Sequence, residues 1–186
     1  MVVTRLRRFQ QSDKLKFEGR DPVATVYLAH CMLAGESGHA AGRALLRGLW
    51  DTHIGGQMPP IVTAPRGKPG FAWGAWHFSI SHTKRHAFCA LADTPLGIDA
   101  EEADRLIDLR LEEKILSPNE KARFDAAGDK RTALLTFWVL KEAAAKRTGD
   151  GLRGYPNHTD FRLDDSRVQT IDGCLVAIIQ EDDHAF

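Results

Sequence analysis

Residues Arg131 to Arg147 are predicted to form one long helix, and no other stretch limits the possible folds as strongly. Leu134, Leu135, Trp138 and Ala145 supply its apolar faces, and the run Ala143-Ala144-Ala145 favours helix. Thr148-Gly149-Asp150-Gly151 stops it. A second amphipathic helix is predicted over Ser37 to Trp50, with Ala41, Leu45, Leu46 and Leu49 on an apolar stripe and His39, Arg43 and Arg47 on a basic one. Short apolar runs follow each helix. Ile61-Val62, Trp76 to Ile80, His86 to Leu91 and Leu96 to Asp99 are expected strands after the first; Phe161 to Leu163 and Leu175 to Ile179 are expected strands after the second. The order is helix then strands, twice over, which predicts an α+β protein built from a duplicated unit. The expected join lies near Asp93-Thr94-Pro95, giving an N-terminal lobe of residues 1–93 and a C-terminal lobe of residues 94–186.

Other segments are less regular. Residues 1–20 are expected to be an extended edge segment or arm, and Pro22 to Leu33 suits strand or helix equally. Arg105 to Leu116 reads as turns and a helix. Ser117-Pro118-Asn119-Glu120 has the form of a helix start: a serine cap, proline at the first helical position and a glutamate three residues after the cap.

Composition excludes several classes. Hydrophobic residues make up 43% and charged residues 27% of the 186, as in soluble globular proteins. A formal net charge of zero argues against a general nucleic-acid binder, while permitting a local basic patch. Cys31, Cys89 and Cys174 are far apart and lack metal spacing, as expected for reduced core cysteines in a cytoplasmic protein. No leader is expected in the basic N-terminal stretch, and no run approaches the ~20 apolar residues that cross a bilayer. The histidines have no zinc spacing.

The chemistry-bearing residues form two groups. Gly97-Ile98-Asp99-Ala100-Glu101 brings carboxylates out of an apolar run, with Asp99 and Glu101 on one face if the strand persists; Glu102 has the opposite phase. Glu142 and Lys146 lie one turn apart on the long helix, with Trp138 one turn earlier. Asp99, Glu101 and Glu142 are hard oxygen donors of the kind magnesium takes, and Lys146 can meet a phosphate. The second group is Ser81-His82-Thr83 after a strand, with Lys68 in the loop Arg66-Gly67-Lys68-Pro69 and Arg43 on the first helix. Hydroxyls, backbone N–H groups and cations of this kind hold phosphate. Taken singly, each cluster also suits a solvated surface. Adjacency does not make Ser81 and His82 a nucleophilic pair, and the lysine loop lacks the Walker pattern.

The order Gly67-Lys68-Pro69, Phe78-Ser79-Ile80-Ser81-His82-Thr83, Gly97-Ile98-Asp99-Ala100-Glu101, then Phe137-Trp138-Val139-Leu140-Lys141-Glu142-Ala143-Ala144-Ala145-Lys146 resembles the 4′-phosphopantetheinyl transferase superfamily, in its monomeric two-lobed form. The resemblance covers residues 40–150 and implies a pseudo-dimer of two α+β lobes, each a small, mostly antiparallel sheet packed with a helix. It implies Mg²⁺ on Asp99, Glu101 and Glu142, coenzyme A as co-substrate held by Arg43, Lys68, Ser81, His82 and Lys146, and His82 near the 3′-phosphate. Lys146 would act at the transferred phosphorus, and Glu120 would help activate a serine of an apo acyl or peptidyl carrier protein. Ala100 departs from the family pattern, in which a branched residue is usual. Another magnesium-dependent phosphoester enzyme, or a non-catalytic domain binding coenzyme A or a carrier, is the alternative. The carrier's docking side is expected to be basic, drawn from Arg5, Arg7, Arg8, Lys14 and Lys16 or from Arg43 and Arg47.

Overall fold

The computed structural model describes residues 25–152 and 158–180. The expected N-terminal arm and its basic residues Arg5, Arg7, Arg8, Lys14 and Lys16 lie outside the described residues.

Two small antiparallel sheets make the centre. The first contains β1 (Val26–Met32), β4 (His77–His82) and β5 (His86–Ala92), in the order β1-β5-β4. The second contains β6 (Leu96–Glu102), β7 (Val168–Ile171) and β8 (Cys174–Gln180), in the order β6-β8-β7. The same rule builds both: the first strand pairs with the last, and the penultimate strand lies on the far edge. Helix α1 (Gly38–His53) follows β1 and packs on the first sheet; α4 (Lys130–Thr148) packs on the second. The hairpin β2 (Ile61–Thr63)–β3 (Pro69–Phe71) lies between α1 and β4. A 3-10 turn and the short helices α2 (Glu112–Ile115) and α3 (Pro118–Ala126) lie between β6 and α4. The chain is therefore two similar lobes, each a small antiparallel sheet covered by a helix.

Side-chain alternation sets the layers. In β5, Ala87, Cys89 and Leu91 face α1, while Phe88, Ala90 and Ala92 face the second sheet. In β8, Leu175, Ala177 and Ile179 face α4, while Cys174, Val176 and Ile178 face the first sheet. Every residue of β5 and β8 is buried, so both strands have apolar side chains on each face. The sequence of layers is helix, sheet, sheet, helix. Complete burial of a side chain such as Phe88 or Phe137 contributes about 1.5–3 kcal/mol.

Local chemistry explains the ends of the helices. Ser37 caps α1 by accepting from the Ala40 N–H at 3.2 Å. Ser117 and Glu120 form a reciprocal capping box at the start of α3. Gly149 closes α4 with φ of +80°, a conformation most side chains avoid.

Three expectations are corrected. Among the described residues each half begins with a strand, β1 or β6, before its helix. Residues 161–163 are not a strand: the Phe161 N–H is taken by Glu120 Oε1 at 2.9 Å, and its ring is buried in the core. The missing partner of β8 is Val168–Ile171, turned by Asp172 and Gly173, both at positive φ.

Candidate active site

The lobes meet along β4 and β6, and the contact is made by side chains. On β4, Phe78 and Ile80 pack toward α1, which leaves Ser79 and Ser81 facing β6. The Ile98 N–H donates to Ser79 Oγ at 3.1 Å, and the Ala100 N–H donates to Ser81 Oγ at 3.3 Å. One step further, the Thr83 hydroxyl donates to Glu102 Oε1 at 3.0 Å. Among the described residues no backbone ladder joins these strands, and hydroxyls at alternate positions satisfy the edge of β6 instead.

Asp99 sits at the middle of this seam. Ser81 Oγ donates to Asp99 Oδ1 at 2.9 Å, and Lys146 Nζ donates to the same oxygen at 2.6 Å and to Ser81 Oγ at 3.0 Å. Ser81 therefore uses its one proton and both lone pairs. Asp99 Oδ2 is buried without a hydrogen-bond partner, a state that costs about 1–3 kcal/mol.

Glycine fixes how closely α4 approaches. A Cβ on Gly97 would lie 2.0 Å from the Ala143 carbonyl oxygen and 2.5 Å from the Arg147 nitrogen. The missing side chain lets the helix backbone rest on β6, which brings Glu142 and Lys146 to Asp99 and Glu101. Burial pushes the Glu101 and Glu142 carboxyls above the usual range, and the neighbouring Asp99 charge adds to the rise in both. Lys146 and Arg105 oppose it. Glu101 Oε1 accepts from the Trp138 indole at 3.2 Å and pairs with Arg105, whose guanidinium lies 5.9 Å from the Trp138 ring centroid.

Two adjoining cavities open here. One, of about 350 Å³, is bordered by Arg43, Ser81, His82, Asp99, Glu101 and Lys146. The other, of about 250 Å³, is bordered by Lys68, Ser79, Glu142 and Lys146. The expected metal and coenzyme A residues are thus gathered around one cleft, with Lys146 lining both halves. Arg43 lies 5.9 Å from the Phe78 ring centroid, and His82 meets His39 edge-on at 4.8 Å. Lys68 also donates to the Arg147 carbonyl at the end of α4, and burial lowers its pKa.

Glu120 does not belong to this group. Its carboxylate is fully buried, pairs with Lys141 Nζ at 2.7 Å, and accepts from the N–H groups of Ser117 and Phe161 at 2.9 Å each. Burial pushes the Glu120 carboxyl up and the Lys141 ammonium down, and their contact opposes both shifts. A carboxylate enclosed by three donors is not presented to a reacting hydroxyl, so its work in this structure is to cap α3 and anchor Phe161. Glu102 turns the other way, onto Thr83 and Arg85.

Sequence reasoning misses Arg105, and it takes His39 and Gly97 only as members of a basic helix stripe and of the carboxylate motif, not as site residues. The i,i+4 spacing of Glu101 and Arg105 is the one local signal for the first.

Among the described residues, no group of three His, Cys, Asp or Glu side chains is drawn together as a ready metal site. The donor set nevertheless fits a hard divalent cation: three carboxylates feel one another's charge, and one of them has an unpartnered buried oxygen.

A two-lobed α+β protein with an acidic and basic cleft at the lobe seam is the class that the fold and site define. Residues 95–182 match the family model described as the 4′-phosphopantetheinyl transferase superfamily. The chain is 30% identical over 97 residues to the 4′-phosphopantetheinyl transferase gsp of Aneurinibacillus migulanus, covering 51% of this chain and 40% of that protein. It is 32% identical over 122 residues to 4′-phosphopantetheinyl transferase HetI of a Nostoc species, covering 60% and 52%. With 4′-phosphopantetheinyl transferase psf-1 of Bacillus pumilus it shares 35% over 116 residues, covering 60% and 49%. Residues 95–182 thus carry the likeness to the 4′-phosphopantetheinyl transferase superfamily, and the similarity to individual transferases extends over a little more than half of the chain. The chain spans about half the length of the curated relatives it matches.

Proposed function

We propose that this chain moves the 4′-phosphopantetheine arm of coenzyme A onto a serine of an apo acyl or peptidyl carrier protein. The products are the holo-carrier and 3′,5′-adenosine bisphosphate. The observation that carries the reading is the Ser81–Asp99–Lys146 contact, placed where both cavities meet and leaving Asp99 Oδ2 without a partner. Asp99, Glu101 and Glu142 would hold Mg²⁺, which when bound neutralises charge on the pyrophosphate of the co-substrate.

The chain's own residues supply the rest. Lys146 lines both cavities and can follow a phosphoryl oxygen while remaining near Asp99. Its charge then opposes the negative charge that grows on that oxygen during transfer. Arg43 and His82 border the 350 Å³ cavity and suit a phosphate monoester; Lys68 borders the other. The lobes of residues 1–93 and 94–186 would each contribute one wall. No described helix is long and apolar enough to cross a membrane. As a separate part of the proposal, the chain acts as a monomer in the cytoplasm.

The test is incubation of the full chain with coenzyme A, Mg²⁺ and a panel of apo-carrier proteins, read by intact mass. The expected outcome is a phosphopantetheine mass gain on at least one carrier, abolished by Asp99→Asn. No gain across the panel, with coenzyme A still bound, would support a binding domain instead. Release of phosphopantetheine to water would support a hydrolase.

A further inference from the structure

We propose that Arg105 is the resident counter-cation of the carboxylate cluster, holding Glu101 while no divalent cation is bound and giving it up when one binds. The inference rests on the reading of Asp99, Glu101 and Glu142 as a divalent-cation site.

Three carboxylates gathered at a seam repel one another, and two cationic side chains of the same chain offset them. Lys146 takes Asp99, and Arg105 takes Glu101. The two cations are held differently. Lys146 is fixed by both Asp99 and Ser81 and lines both cavities. Arg105 borders neither cavity; it lies past the end of β6, 39% exposed, with its guanidinium beside the Trp138 ring. Its charge offsets that of Glu142 as well as that of Glu101.

Arg105 and the Trp138 indole converge on the same oxygen, Glu101 Oε1. A divalent cation that recruits Glu101 meets a like charge on that carboxylate. Rotation of an exposed side chain into water relieves the repulsion with little desolvation cost. Trp138 retains its hydrogen bond and keeps Glu101 oriented after the arginine leaves. Arg105 thus acts as a positioning residue with opposite effects on the two states. It stabilises the cluster without metal and weakens the cluster's hold on metal.

A merely structural arginine would not produce that opposition. Mn²⁺ titration of the full chain, read by electron paramagnetic resonance, and thermal melting without metal separate the two effects. Arg105→Gln is expected to bind Mn²⁺ about tenfold tighter than wild type, within the usual range of couplings between neighbouring sites, and to melt earlier without metal. Arg105→Ala serves as a second variant if the glutamine variant does not fold. Unchanged or weaker Mn²⁺ binding in a folded variant overturns the proposal. If Asp99→Asn abolishes Mn²⁺ binding while Arg105→Gln does not tighten it, only the role of Arg105 fails. If wild type and Asp99→Asn take up Mn²⁺ alike, or neither does, the carboxylate site fails and the proposal with it.

Discussion

Gly97→Ala adds one methyl group at the tightest contact between β6 and α4. The new carbon would begin 2.0 Å from the Ala143 oxygen, against an ordinary contact that starts near 3.4 Å. The opposing atoms are helix backbone, so no side-chain rotation makes room. Helix α4 must retreat by about 1.4 Å, at a cost of about 1–3 kcal/mol for overpacking. The same retreat would stretch the 2.6 Å Lys146–Asp99 contact beyond hydrogen-bond length and move Glu142 away from Glu101. A misplacement of about 1 Å in a reacting group commonly costs about 10²-fold in rate. Urea unfolding and the carrier mass-gain assay should therefore both record a loss. Gly128→Ala is the control, since its Cβ would meet nothing within 4 Å. If Gly97→Ala matches wild type within about 0.5 kcal/mol and transfers at the wild-type rate, the close approach does not organise the site.

Removing either member of the buried Glu120–Lys141 pair, by Glu120→Gln or Lys141→Met, should cost about 3–5 kcal/mol in urea unfolding; the double variant should recover much of that, and additive losses would refute the pairing. His82→Ala should weaken coenzyme A about tenfold or more while sparing dephospho-coenzyme A, as calorimetry can measure; equal losses would reject a 3′-phosphate contact. Burial acts to raise the Asp165 pKa, but hydrogen bonds from Arg167 win and hold it below its ordinary 3.8. Its stabilisation is therefore present above about pH 4 and lost as pH falls through the lower folded value. The stability gap between wild type and Asp165→Asn should narrow between pH 6 and pH 2; a constant gap would contradict the shift.

Elements governed by local chemistry were legible in the sequence. Helices α1 and α4 announced themselves through their apolar faces and stops, and α3 through the Ser117–Glu120 box. Hairpin β4–β5 followed from apolar runs around a short polar turn. Strand β7 was not legible because Val168-Gln169-Thr170-Ile171 is half polar and lies at a sheet edge, whereas Phe161 looks like a strand residue but gives its N–H to a side chain. In the candidate site, the identities of Asp99, Glu101, Glu142 and Lys146 could be read from spacing. The enclosure of Glu120 could not, because Lys141 and Phe161 reach it from distant positions. Nor could the contact of Gly97 with Ala143, which depends on how a helix settles on a sheet rather than on either local pattern.

The serine-lined seam between β4 and β6 gives the molecule an unusual mechanical character. Backbone ladders resist shear through many bonds in register, whereas here Ser79 and Ser81 hold the edge of β6 by single hydroxyls. Sliding one lobe past the other breaks these hydroxyl bonds, and Ser81 is the same group that touches Asp99 and Lys146. Any force, crowding or partner that shears the lobes is therefore felt at the candidate site. Conversely, a ligand that grips both walls splints the protein along this seam. Resistance to pulling across residues 81 and 99 should therefore rise far more on ligand binding than resistance within either sheet.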